Sequence, residues 1–224
     1  MITPRKVQTS GCSIAFAAAH AWLAMSDCAA WARGETLGAN RAPALDSAGR
    51  AVALDRDNAD AHMILGYVHA YDGDLTRSSA EFGEALRLNP NHADAWALLA
   101  DLRVFEGRPD EAIESIEKAF QLNPYPPRLY FWTLGFASYA ARRYVEAVEA
   151  LRHEATYRTG SQRILAASLA QLGRLEEAKV EASQFLAANP SFRIRQWANA
   201  NPFRNSNDRE HFVEGYVKAG LPMA

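Results

Sequence analysis

The chain has 224 residues, 49% of them hydrophobic and 22% charged, with a formal net charge of −2. That balance excludes a disordered or fibrous protein and fits a soluble globular one, long enough to bury a sizeable core. With neither net positive charge nor a Lys/Arg cluster, the chain lacks the basic face of a nucleic-acid binder, so DNA and RNA are not expected as partners.

Residues 1–11 are set apart as an N-terminus whose order the sequence leaves open, disorder being one reading. Arg5 and Lys6 then precede an apolar stretch from Cys12 to Met25. Its length is that of a signal-peptide core, but His20 and Trp22 interrupt it and no clear small-x-small cleavage site follows. It is also too short to span a bilayer. The reading adopted is a packed first helix to which Ile14, Phe16, Ala18, Trp22 and Met25 contribute, in a cytoplasmic protein; secretion is the alternative. Cys12 and Cys28 show neither a disulfide framework nor Cys-x-x-Cys spacing and read as small buried hydrophobes. Trp31, Ala44, Ala48, Ala51 and Leu54 fit a degenerate helix pair, giving an N-terminal region over 12–58.

The middle of the chain then repeats itself at a shift of 34 residues: Leu65 falls on Leu99, Gly73 on Gly107, Phe82 on Ile116, Ala85 on Ala119 and Pro90 on Pro124. A period of this length, with small and large apolar residues in fixed order, predicts stacked helix-turn-helix units. The strings are AHMILGYVHAYDGDLTRSSAEFGEALRLNP and AWALLADLRVFEGRPDEAIESIEKAFQLNP, over copies at 59–92 and 93–127. A third copy, at 128–158, holds Leu134-Gly135, Ala147 and Leu151, but it has Arg142 where the turn glycine belongs and no Asn-Pro stop, so a short second helix or exit loop is expected. A fourth, at 159–192, holds Leu165, Gly173, Ala178, Phe185 and Pro190. Gly73, Gly107 and Gly173 are placed to reverse the chain through a left-handed backbone, and Asn89-Pro90, Asn123-Pro124 and Asn189-Pro190 to stop the second helices.

The segment 193–224 does not repeat. It predicts a short helix and then a last one, with Asn207 and Glu210 spaced as a capping box, an apolar stripe of Phe212, Val213, Tyr216 and Val217, and Gly220 then Pro222 at its end. A stacked array needs its terminal apolar face covered, so these are read as capping helices.

These repeats resemble the tetratricopeptide repeat. The resemblance implies an all-α fold, a right-handed superhelical solenoid of antiparallel helix pairs with a C-terminal capping helix, whose concave wall is lined by first helices. LYFWTLGFASYA followed by ARRYVEAVEALR, the LAASLAQLGRLEEA block and the ending NPFRNSNDREHFVEGYVKAGLP are also similar to the C-terminal repeat regions of bacterial class III adenylate/guanylate cyclases and of winged-helix regulators. Neither a cyclase domain nor a DNA-binding domain fits in the rest of the chain, so this similarity implies only the accessory module.

No catalytic constellation emerges, and no enzyme activity or cofactor is expected. His62 and His69 share a helix face without a third ligand at matching spacing, so no metal site is expected. Asp72-Gly73-Asp74 and Asp55-x-Asp57 lack the closing Glu of a calcium loop and read as turn and cap chemistry. Ser10-Gly11-Cys12-Ser13 has no base in a matching motif, and Glu111, Glu114, Glu117, Glu176 and Glu177 read as solvated faces. The ligand-facing positions implied by the resemblance are Met63, Tyr67 and Tyr71, then Asp94, Asp101 and Phe105, then Trp132, Phe136 and Tyr139, then Arg163 and Gln171. Their aromatic character predicts a groove for an apolar or amphipathic protein segment. Two rival readings bury the aromatics within a tight superhelix or fill the groove with the chain's own tail. The functional expectation is a protein-binding scaffold; the alternative is a regulatory module working with a separately encoded adenylate cyclase or transcriptional regulator. Homo-oligomerisation is left open.

Overall fold

The structure, a computed structural model, describes residues 41–153 and 161–224. The expectations for residues 1–11, the first helix after Cys12, both cysteines, Trp31 and the start of the fourth copy lie outside these residues. The described residues form eleven helices and no strand. The chain divides into two compact units, Met1–Pro90 and Asn91–Ala224.

In the first unit, α1 (Ala42–Leu54) packs on α2 (Ala59–Asp72), which pairs with α3 (Leu75–Leu88). Asn58 caps α2 by accepting from the Ala61 N–H at 3.1 Å, and Asp74 caps α3 by accepting from the Arg77 N–H at 3.0 Å. These bonds satisfy donors that a helix start leaves without intrahelical partners. Asp74 is thus a cap, as turn chemistry predicts for the Asp72-Gly73-Asp74 run. Gly66 lies against the Phe82 ring and the Ser78 carbonyl, both a little over 3 Å from where a Cβ would stand, so only a small residue lets α2 and α3 approach this closely.

The second unit stacks three helix pairs: α4 (Ala93–Phe105) with α5 (Pro109–Leu122), α6 (Arg128–Ala140) with α7 (Tyr144–Leu151), and α8 (Gln162–Gln171) with α9 (Leu175–Ala188). Two further helices follow, α10 (Ile194–Ala200) and α11 (Ser206–Lys218). The helix pairs make an all-α solenoid, and α7, at eight residues against fourteen for α3, α5 and α9, is its short member.

All four first helices end in one device. The N–H groups of Asp74, Arg108, Arg143 and Arg174 donate to the carbonyls five residues back, on His69, Arg103, Ser138 and Leu169, at 2.8–3.0 Å. The residue before each donor is left-handed: Gly73 (φ 91°), Gly107 (φ 78°), Arg142 (φ 62°) and Gly173 (φ 77°). This geometry satisfies carbonyls that would otherwise lack partners, and glycine suits it because it has no Cβ to oppose a positive φ. Arg142 adopts it without that freedom. The second helices stop where expected, with the N–H groups of Asn89, Asn123 and Asn189 bonded to Ala85, Ala119 and Phe185.

The last helix differs from its sequence reading in two details. Its cap is Asn205, whose side chain accepts from the Asn207 N–H at 2.9 Å, so Asn207 lies inside the first turn rather than at the cap. Its buried stripe is His211, Phe212, Gly215 and Tyr216, with Ala219 buried just beyond the helix, whereas Val213 is half-buried and Val217 exposed.

Candidate functional site

The residues expected to line a groove fall into both units. In the first, Met63, Tyr67 and Tyr71 are buried on α2, and the two tyrosine rings meet edge to face with centroids 5.1 Å apart. In the second, Asp94 is exposed and accepts a hydrogen bond from the Tyr130 hydroxyl at 2.7 Å, while Asp101 is buried. Burial and the Asp94 carboxylate both push the Tyr130 hydroxyl well above its usual pKa, so it stays a donor.

Phe105, Phe136, Tyr139 and Arg163 are 1%, 4%, 0% and 5% exposed, respectively. What meets them is the chain's own C-terminal segment. Phe105 packs edge to face on Phe203 at 5.3 Å, and its carbonyl accepts from the Arg204 N–H at 2.8 Å. Phe136 and Tyr139 lie 5.3 and 4.8 Å from the Phe212 ring. Tyr139 also stacks on the His211 imidazole at 4.7 Å, and its hydroxyl donates to the His211 carbonyl at 3.1 Å. Gln171, half-buried, accepts from the Lys218 ammonium at 3.2 Å. An open aromatic groove at these positions is therefore not what the second unit presents: ring faces that need burial have found it in α10 and α11, the self-filling reading. Trp132 differs. It is half-buried and stacks on Phe136 with centroids 5.3 Å apart.

Sequence reasoning missed two residues at this contact, His211 and Gly215, and did not foresee what surrounds Arg163. Arg163 places its guanidinium 5.3–5.8 Å from the centroids of four rings, those of Phe185, Phe192, Trp197 and Tyr216, three of them contributed by the C-terminal segment. Such a cage stabilises a desolvated cation through the negative ring faces. His211 is buried between Tyr139 and Tyr144, with its Nε2 3.1 Å from the Tyr144 hydroxyl. Burial, and then the charge of Arg142, lowers its pKa to about 4. Gly215 lies where an added Cβ would overlap the Tyr139 hydroxyl. The sequence signal for these was weak, because a histidine and a glycine on one helix face do not look like a core stripe.

Elsewhere, the two ring nitrogens of His62 face the Glu81 carboxylate at 2.6 Å and the Arg56 carbonyl at 3.0 Å, which accounts for its burial. Burial lowers the pKa of His69. Among the described residues no group of three His, Cys, Asp or Glu side chains is placed to hold a metal ion. Glu114, Glu117, Glu176 and Glu177 are exposed and Glu111 is half-buried; Glu111, Glu176 and Glu177 pair with Arg108, Lys179 and Arg174. No described helix is long and apolar enough to cross a membrane.

The paired helices, the glycine turns and the 34-residue period find their match in one family model, the tetratricopeptide repeat, over 59–92 and 93–126. Residues 59–126 are tetratricopeptide repeats. Solved structures of similar fold include PilW, described as a widely conserved type IV pilus biogenesis factor, with a TM-score of 0.63 at 17% identity over 94% of this chain and 92% of that one. A thermophilic tetratricopeptide protein of Thermus thermophilus, TTC0263, has a TM-score of 0.63 at 14% identity over 90% of this chain and 99% of that one. YrrB, described as a tetratricopeptide protein with an unusual peptide-binding site, has a TM-score of 0.52 at 19% identity over 78% of this chain and 91% of that one. At these identities the likeness is one of fold. No curated protein matches the chain. The similarity to repeat regions of cyclases and winged-helix regulators is not shown by these matches.

Proposed function

We propose that this chain is a non-catalytic adaptor that binds a polypeptide segment on the ligand-facing side of its first helices, and that it works in the cytoplasm. The tetratricopeptide repeats support protein binding in general, because function on such a fold is set by the chemistry of its wall. The observation that carries the finer reading is Trp132: its ring keeps solvent contact at a ligand-facing position while Phe105, Phe136 and Tyr139 are covered. Aromatic anchors of this kind dominate interface energetics.

The test is affinity capture with the intact chain and with Trp132→Ala. Loss of an aromatic anchor should weaken binding by about 2 kcal/mol, roughly thirtyfold in affinity, with little change in melting temperature. A severe loss of thermal stability with every captured partner retained would place Trp132 in the core and refute the reading. Recovery of a separately encoded adenylate cyclase or transcriptional regulator would identify the partner as one this chain regulates.

A further inference from the structure

The C-terminal segment makes contacts within itself as well as with the repeats. The backbone N–H groups of Ile194 and Arg195 donate to the carbonyls of Pro222 and Met223 at 3.0 and 3.2 Å, tying the two ends of the segment together. Between them Trp197 contacts Phe203, Phe212 and Tyr216 at 4.8–5.9 Å, so α10 and α11 share a small aromatic core.

The face the segment presents to the repeats reads the wall position by position. Phe203 meets Phe105, Phe212 meets Phe136 and Tyr139, and Lys218 meets Gln171. Gly215 lets α11 settle directly on the Tyr139 hydroxyl. With Arg163, caged by Phe192, Trp197 and Tyr216, five residues expected to face a ligand thus face this segment instead. The docked state also carries costs. The Arg163 Nε is buried without a hydrogen-bond acceptor, and the His211 imidazole is taken out of water. Burying a polar group disfavours the state that buries it, and both Arg163 and His211 regain solvent when the segment departs.

We propose that residues 192–223 are a built-in ligand of the tetratricopeptide wall, and that the partner is a polypeptide helix with the same signature, adjacent His and Phe followed by Gly-Tyr three residues on, which displaces them. This rests on the reading of the chain as a polypeptide-binding adaptor and names the class of segment it takes. Specificity follows from the wall: the glycine is required opposite Tyr139, and the two rings fill the space between Phe136 and the Arg163 guanidinium.

Two measurements on the full chain test it. In hydrogen exchange of the wild type, the amides of α11 should exchange as a block at least tenfold faster than those of α4 and α5, reporting local release without unfolding of the repeats. If α11 exchanges only as slowly as α4 and α5, the segment is a permanent part of the core and the proposal is overturned. The second measurement uses a fluorescently labelled synthetic peptide of residues 201–222. It should bind Gly215→Ala at least tenfold more tightly than wild type, and a peptide with Ala in place of its own glycine should bind neither. Helix propensity alone favours Ala over Gly, so loosening by this substitution comes from the contacts with Tyr139 and Ala167 on the wall. Absence of peptide binding to either protein overturns the proposal, and the exchange result on the wild type decides the case if the variant does not fold. Failure of the Trp132 capture test with local release intact would refute the adaptor reading and leave the releasable segment standing.

Discussion

Replacing Phe212 with Ala tests how much of the second unit depends on its C-terminal segment. The ring is 1% exposed and lies within 4.8–6.2 Å of the centroids of Phe136, Tyr139, Trp197, Phe203 and Tyr216. Truncating a buried phenylalanine costs about 3–5 kcal/mol, from lost transfer energy and the cavity left behind. Two features place this site toward the upper end. The surrounding rings are planar and held by one another, and Tyr139 is fixed by its bond to the His211 carbonyl, so the site has little means of collapsing onto the gap. In a protein of this size each kcal/mol moves the melting temperature by about 2–4 °C, so the loss should amount to roughly 8–16 °C. Thermal unfolding followed by far-UV circular dichroism measures it, and hydrogen exchange locates it: because solenoid stability is a sum of local terms, protection should fall first in α11 and least in α4 and α5. A melting temperature within about 2 °C of wild type, with α11 protection unchanged, would refute the claim that this ring holds the segment to the wall.

Two further predictions concern neighbouring residues. His211 has its pKa lowered to about 4, whereas it titrates near its ordinary value of 6.5 when unfolded. The unfolded chain therefore takes up a proton first, and stability should be full above about pH 6.5 and fall by about 3 kcal/mol as the pH drops toward 4. The groups facing this imidazole are Tyr139, Tyr144, the Arg142 charge and Asp208, which lines the same small cavity. His211→Gln should flatten that fall in chemical denaturation run at several pH values, and an unaltered profile would remove His211 as its cause. Arg142→Gly should stabilise the third repeat by up to about 1 kcal/mol, since it relieves a positive φ that a side chain opposes; a lower melting temperature would mean that the guanidinium contributes more than the strained backbone costs.

The fold was legible because its determinants are local and periodic. Gly73, Gly107 and Gly173 mark the left-handed turns, Asn89, Asn123 and Asn189 mark the ends of second helices, and these positions are where the backbone does turn and stop. Even the exception was visible: Arg142 stands where the glycine belongs, and the chain keeps the same five-residue hydrogen bond there. The requirement of the hairpin thus overrides the preference of the residue.

The site was less legible because contacts between distant segments leave no period. From Tyr139 to His211 is a separation of 72 residues, and nothing in either local string announces that one will cover the other. The ligand-facing positions were identified from the repeat, which states what a first helix shows to its concave side but not what lies there. Their aromatic character has two physical solutions, an external partner or an internal one, and both satisfy the same burial. The tail's own composition separates them: on one helix face, His211 and Gly215 make a poor generic cap but a specific complement to a tyrosine hydroxyl and ring. A cap selected only to cover apolar surface has no use for a glycine within a helix, where it weakens the helix by about 1 kcal/mol relative to alanine. Gly215 makes sense when α11 must fit one particular wall, and a segment shaped to fit a wall is what a competing partner would have to imitate.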